Sequence, residues 1–487
     1  MAIANGVMMQ CFHCYSPAGG LWNDLAAKAA DLAAAGLTAV WIPPAYKGAS
    51  GASSVGYDVY DLFDLGEFNQ KDTTPTKYGS KAELIASIEA VHRAGLQVYA
   101  DVVFNQKDGA DFTEDVLAQQ VEWNDRNATK NGWYMIKAWT RFEFPGRGDT
   151  YSAMKWSWTC FDAVSCDENL PRPQKFEKLL RLKDKVFSTD VSKEKGNYDY
   201  LCCADCDVEG AVADEFYHWG EWLIRQTHID GFRIDAAKHI RSSFFPGWLD
   251  HLRSTFRLEL FAVGEYWSAD VEDLKRFIDA TGGSMSLFDV PLHYNLQRAS
   301  NAGESYDMRT IFERTLVKEQ PVLAVTFVDN HDTMPCQSLE SWVQPWFKPL
   351  AYALILLRQG GYPCVFTADY YPCPSYGDSS REVRLESYRA LIDMFLDARR
   401  KYGYGDQHDS FDDPRTVGWV RTGDGAHPGV MAVLMTTGSG GSKWMNTFRP
   451  GAAFIDVTGN VPGVVTADAN GWANFSCCGQ SVSVWVH

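Results

Sequence analysis

The chain has 487 residues, of which 46% are hydrophobic and 22% charged, and a formal charge of −17. This is the composition of a globular protein with a large core. A field of this sign repels phosphate backbones, which argues against nucleic acid as a partner, and no run approaches the ~20 apolar residues of a bilayer-spanning helix.

In chain order, the recurring unit is an apolar strand followed by an amphipathic helix. GVMMQCF (6–12) reads as a strand; in DLAAKAADLAAAG (24–36), Leu25, Ala29, Leu32 and Ala33 have helical spacing before Gly36 ends the pattern. AVWIPP (39–44), a long loop, the helix KAELIASIEAVHRAG (81–95) and the strand VYADVVFN (98–105) follow. Residues 106–204 show little alternation and much Trp, Asp, Gly and Pro, and the rhythm resumes with the helix ADEFYHWGEWLIRQTH (213–228). GFRIDA (231–236), FAVGEYW (261–267), SLFDVPL (286–292), AVTFVDNHD (324–332) and CVFTADYY (364–371) bring the strands to eight.

Near-continuous apolar strands between helices belong to a parallel sheet covered on both faces. The reading is an α/β fold, a (β/α)8 TIM barrel over 1–105 and 205–397, although the strand count also fits an open doubly wound sheet. Residues 106–204 are expected to form an inserted domain after strand 3, because so long a connection needs structure of its own. From 398 to 487, GVMAVLMTT (429–437), AAFIDVTG (452–459) and QSVSVWVH (480–487) predict a C-terminal antiparallel β domain, a sandwich.

The opening MAIANGVMMQCF has no basic region, long apolar stretch or cleavage site. A cytoplasmic location is therefore expected, or secretion if a leader has been removed. The twelve cysteines are scattered, as reduced thiols of a cytosolic protein would be. Cys11-x-x-Cys14 with Cys202, Cys203 and Cys206 offers a zinc arrangement, but no nearby His or second clear pair completes the spacing.

Barrel chemistry sits at the C-terminal ends of the strands. Those ends carry Asn105 and Gln106, Arg233 and Asp235, Glu265, and His331 with Asp332. Each alone could be a helix cap or turn former. Together, GFRIDA and AVGEYW push charges out of otherwise apolar strands, and converging carboxylates raise at least one pKa. Glycoside hydrolysis needs two carboxyl groups flanking the scissile bond. Arg233 would hold Asp235 ionised as nucleophile; Glu265, crowded by Asp235 and Asp332, would keep its proton and act as general acid. Heavy aromatic usage, 14% with 17 Trp and 22 Tyr, suits a ligand that stacks on rings as well as a large core.

DVVFNQ, GFRIDAAKH, GEYW and FVDNHD resemble, in order, the four signature regions of the α-amylase family, glycoside hydrolase family 13. WIPPAYKG (41–48), VGYDVYDLFDLGEF (55–68), FPGRG (144–148), GNYDY (196–200), VPLHY (290–294) and WFKPLAYA (346–353) extend the likeness to the liquefying bacterial α-amylases over nearly the whole chain. The resemblance implies a retaining, endo-acting hydrolase of α-1,4-glucan with Asp235 as nucleophile, Glu265 as acid/base and Asp332 as transition-state stabiliser. It implies that Tyr57 stacks on the sugar and that Arg233, Lys238, His239, Trp267 and His331 line the cleft. It also implies a calcium ion tying the insertion to the barrel, held by Asn105, Asp199, Asp205 and the backbone carbonyl of His239.

Three departures accompany the likeness. Gln106 stands where the family pattern has His, so a neutral amide replaces an imidazole at a sugar contact. Asp162 and Asp207 match ligands of further metals in some relatives, but Ser188 replaces a carboxylate there, and a single calcium is expected. TAD (367–369) in the eighth strand is the third. A transglycosylase on the same site, or a catalytically silent carbohydrate-binding homologue, are the alternatives; a monomer with an α-glucan as partner is expected.

Overall fold

The computed structural model describes residues 5–377 and 381–487. Its centre is a closed barrel of eight parallel strands: β1 (Met8–Gln10), β2 (Ala39–Ile42), β3 (Gln97–Val102), β4 (Gly231–Ile234), β5 (Phe261–Gly264), β6 (Ser286–Phe288), β7 (Ala324–Phe327) and β8 (Tyr362–Phe366). They close in chain order, β8 pairing with β1, which excludes the open sheet. Crossover helices α1 (Leu21–Ala35), α2 (Lys81–Arg93), α3 (Gly210–Thr227), α4 (Phe244–Phe256), α5 (Val271–Ala280), α6 (Val290–Ala302) and α7 (Lys348–Leu356) alternate with the strands. The local signals are plain. Gly36 ends α1 with φ +109, and Ser80 and Glu83 form a capping box on α2.

Met8, Trp41, Tyr99, Phe261, Val263, Phe288 and Phe327 fill the barrel interior as one apolar cluster. Gly231 has to be glycine: a Cβ there would lie 2.4 Å from the Phe261 carbonyl oxygen and 2.9 Å from the Tyr99 ring. Two residues along β4, register places Arg233 opposite Asp101 of β3 and Val263 of β5. The inward face of β4 therefore runs from a glycine at the packed floor to a guanidinium at the mouth.

Between β3 and α3 lies a six-stranded sheet, in the order 106–107, 204–206, 161–164, 179–182, 112–121, 134–141. Its longest hairpin does alternate, with Val116, Ala118, Ile136 and Ala138 buried, contrary to the expectation of little alternation. Exposed Met135 and Trp139 on the outward positions mask the period in a hydrophobicity reading. After helix α8 (Arg389–Tyr402), which runs past the expected boundary at 398, a six-stranded antiparallel sheet and a two-stranded sheet pack around Val420, Leu434, Phe454, Phe475 and Trp485.

Two strand expectations need correcting. SLFDVPL leaves the sheet after Phe288, because Asp289 accepts from Leu292 N and starts α6 with Pro291 in its first turn. CVFTADYY leaves it after Phe366, and TAD becomes the helical turn Thr367–Tyr370. That turn carries Asp369 into the interior, where its carboxylate accepts from Lys348 Nζ at 2.7 and 2.8 Å and from Tyr352 OH at 2.6 Å. Lys348 also donates to Asp329 at 2.6 Å beneath the loop that holds His331 and Asp332. Lys348→Met would leave two buried carboxylates without their cation, and is expected to cost about 3–5 kcal/mol in urea unfolding.

Candidate active site

One guanidinium organises the barrel mouth. Arg233 Nη1 donates to Asp101 Oδ1 at 2.9 Å and to Asp235 Oδ1 at 2.6 Å, and its Nη2 donates to Glu265 Oε2 at 2.8 Å. Asp235 and Glu265 each follow directly on their strands, and the parallel ladder continues through them: Asp235 N donates to Val102 O and Glu265 N to Ile234 O. The next residue, Ala236, has φ +49, unusual for a side chain with a Cβ, and its N–H donates to Glu265 Oε2 at 3.1 Å. The strained turn thus supplies a second donor to the same carboxylate.

Asp101 is the member of this cluster that the strand-end reading missed. It sits inside β3 rather than at its end and is buried, accepting from Tyr57 OH at 2.9 Å and Trp41 Nε1 at 3.0 Å as well as from Arg233. The available signal was an acid inside an otherwise apolar strand. Burial pushes its carboxyl up to about 6, against the pull of Arg233. Burial also pushes Asp235 up; Arg233 opposes this, and Glu265 and Asp101 add to it. One positive charge faces three carboxylates, so the cluster is short of a cation. Asp101→Asn removes one negative neighbour. Like charges raise a carboxyl pKa, so this change is expected to move both limbs of the kcat/KM pH profile toward lower pH, as measured on a soluble oligosaccharide.

The opposite wall holds His331 and Asp332. Gln10 Nε2 donates to His331 Nδ1 at 2.9 Å, which leaves the ring proton on Nε2, 3.3 Å from Asp332 Oδ2. Burial, then the charge of Arg233, hold His331 down to about 3, so the ring is neutral across the working range. Tyr57 lies stacked on His331, ring centroids 5.3 Å apart and planes 11° from parallel. Burial, then Arg233, act on Asp332 in opposite directions, and burial prevails, raising its carboxyl.

The remaining expected cleft residues divide. Lys238 Nζ donates to Trp267 O at 2.9 Å and to Glu194, and Trp267 Nε1 donates to Tyr294 OH at 3.0 Å, so these two form one wall. His239 turns its ring toward the insertion, Nδ1 against Tyr198 O at 2.7 Å. Gln106 is buried, 3% exposed, and its Nε2 donates to the Tyr57 carbonyl at 3.0 Å. Its amide nitrogen thus holds the Tyr57 backbone, while its Oε1 is buried without a hydrogen-bond partner.

Where the insertion meets the barrel, register sets Asp205 opposite Gln106 on one side and Ala163 on the other, beside Asp162. Oxygens of Asp162, Asp199 and Asp205 lie within 4.8 Å of one another, all three residues buried. Burial and the neighbouring acids push Asp162 and Asp205 well up; Asp199 is raised to about 7, mainly by burial. Asp205 Oδ2 is buried with no hydrogen-bond partner. Asn105 is bound in from the backbone, its carbonyl accepting from Cys206 N at 2.8 Å. Asp207 instead pairs with Lys185 Nζ, which also donates to Thr159 O. The cysteines make no comparable cluster among the described residues: Cys11 and Cys14 donate to Trp41 O and His331 O in the barrel, while Cys202, Cys203 and Cys206 lie in the insertion.

The chain is 53% identical to an α-amylase of Geobacillus stearothermophilus over 489 aligned residues, covering 99% of this chain and 87% of that one. The chain belongs to the α-amylase family. It is 49% identical to a glucan 1,4-α-maltohexaosidase of Bacillus sp. strain 707, with 99% and 92% coverage, and the α-amylase C-terminal family model matches residues 434–486. The crystal structure of a Geobacillus thermoleovorans α-amylase has the same fold, with a TM-score of 0.66 at 14% identity over 100% of this chain and 99% of that one. This family member is a glycoside hydrolase of the liquefying bacterial type. Among the described residues no helix is long and apolar enough to cross a membrane.

Proposed function

We propose that the enzyme is an endo-acting, retaining α-amylase that cuts internal α-1,4-glucosidic bonds of starch, glycogen or maltooligosaccharides. The observation that carries this reading is the Arg233 bridge, whose two terminal nitrogens hold Asp235 and Glu265 side by side. Adjacent anchoring fits the ~5–5.5 Å carboxyl spacing of a retaining pair better than the ~6.5–9.5 Å of an inverting one. Asp235, its second oxygen free of Arg233, attacks the anomeric carbon. Glu265 gives its proton to the departing glycosidic oxygen as that bond breaks. Asp332 faces the positive charge that develops on the sugar ring. Glu265, now a carboxylate, then takes a proton from the water that releases the glycosyl group from Asp235. Tyr57, on its His331 support, offers a ring face to the sugar before the cut.

Calcium would be held by Asp199, Asp205, Asn105 and the His239 carbonyl, with Asp162 alongside. Buried carboxylate oxygens, one of them unpartnered, are the donor set of a hard oxygen-seeking cation. When bound, it supplies positive charge that ties the insertion to the barrel. Lys185 on Asp207 supplies a cation to the fourth acid from within the chain, consistent with a single ion.

Products from maltoheptaose test the reading. Shorter oligosaccharides released initially as α-anomers are expected by proton NMR. Initial β-anomers would exclude a retaining pair, and products longer than the substrate would assign the enzyme as a transglycosylase.

A further inference from the structure

Two adjacent cysteines of the insertion, Cys202 and Cys203, take no part in the cleft chemistry. Successive side chains of an extended chain point to opposite faces. Here they do not. Cys203 has φ +58, in the left-handed region that a residue with a Cβ rarely adopts, and the strand begins only at Ala204. The two thiols meet in a side-chain hydrogen bond and line the same cavity of about 620 Å³, together with Cys166. All three are free thiols and half-buried.

Adjacent Cα atoms lie ~3.8 Å apart across a trans peptide, short of the ~4.4–6.8 Å that disulfides usually span. A bond between neighbours is therefore strained, and a strained disulfide is easily reduced, the property of a reversible bond rather than a structural staple. The cavity walls also suit an oxidant. Lys71, Lys107, Arg172 and Lys175 line it against one acid, Asp108, and the Arg172 guanidinium lies over the Phe176 ring with no ion pair among the described residues. Carboxylates on a small disulfide would meet these cations.

We propose that Cys202 and Cys203 form an oxidative modification site, closing into a vicinal disulfide by exchange with a carboxylate-bearing small disulfide such as glutathione disulfide. The Cys202 sulfur bonds to one sulfur of the oxidant and breaks its S–S bond, releasing one thiol. The Cys203 sulfur then displaces the second thiol from that mixed disulfide. One S–S bond is lost and one gained. The two cysteine protons leave on the released thiols, and the protein pair gives up the two electrons that reduce the oxidant.

Closure acts on the acid cluster. The pair lies between Asp199 and Asp205 in the chain; the Cys203 carbonyl accepts from Tyr200 OH at 3.2 Å, and the Tyr200 carbonyl accepts from Arg126 Nη1. Twisting the 202–203 peptide pulls on this pinned stretch and shifts two carboxylates relative to Asp162, so the closed form is expected to hold calcium more weakly. That consequence, unlike the bond itself, rests on the calcium reading in the proposed function.

The test equilibrates the full chain in mixtures of reduced and oxidised glutathione, followed by alkylation, digestion and mass mapping. In excess oxidised glutathione the peptide carrying both residues is expected to lose two hydrogens, and dithiothreitol to restore them. C202S and C203S should each instead keep one glutathione on the remaining thiol, while C166S should close as the parent does. An unclosed pair in the parent, or a bond from Cys166 to either residue, overturns the proposal. Calcium titration calorimetry on the closed form is expected to give a Kd about tenfold or more above that of the open form. Equal values overturn the coupling to the acid cluster. An open form that binds no calcium while the pair still closes counts against the calcium reading alone.

Discussion

Asp235→Asn is expected to lower kcat/KM on maltoheptaose by on the order of 10⁴-fold or more while leaving the fold intact. The amide keeps the size of the carboxylate and an oxygen for Arg233 Nη1, which also retains Asp101 at 2.9 Å. What it loses is the second, nucleophilic oxygen. Stability should hold or rise, because Asp235 is buried beside two further acids that share the same guanidinium. Active sites accept such crowding for chemistry and give up stability to do so. Reducing-end release and a thermal melt on the same preparation check both halves. Residual activity above about a hundredth would move the nucleophile elsewhere, since a positioning carboxylate rather than a bond-forming one would then be missing.

Chelation of calcium is expected to lower the thermal midpoint of the parent by about 4 °C when the ion is present at a thousandfold excess over its Kd. Asp205→Asn should abolish that difference. In the absence of calcium, the same variant should melt above the parent. The sign follows from geometry: without a cation, Asp162, Asp199 and Asp205 crowd one another in a buried site, and removing one charge relieves the other two. With calcium the order reverses, because the variant has lost a ligand. Calcium titration calorimetry gives a readout independent of turnover. A parent melt indifferent to chelator, with no heat of calcium binding, would remove the ion from the proposed function.

Much of this was open to a reading of the chain itself. The strands and helices of the barrel were legible because eight buried strands with capped helices between them are local patterns, each specified within about ten residues. The acids at the ends of β4 and β5 were legible because a charge leaving an apolar strand has few structural excuses. Asp101 escaped notice for the opposite reason. It lies within its strand, and only pairing with β4 shows that its carboxylate meets Arg233, 132 residues away. TAD had no account until the chain was folded, because Asp369 answers Lys348 from the preceding helix. The alternation of the long insertion hairpin was hidden by exposed aromatic and Met side chains on its outward positions.

By itself, then, the sequence determined the strand–helix rhythm of a parallel α/β fold, the all-β C-terminal region and the three acids expected to do the chemistry, while closure of the sheet into a barrel came from the β8–β1 pairing. Periodicity and motif spacing are encoded in consecutive residues, so they survive without a fold. The tertiary structure decided which charges share a partner. It put one guanidinium among Asp101, Asp235 and Glu265, gathered Asp162 with Asp199 and Asp205, and gave Asp207 to Lys185. It also turned Gln106 toward the Tyr57 backbone. Electrostatic and stacking contacts depend on distances of a few ångströms between residues remote in the chain, and only the closed barrel and the strand registers set those distances.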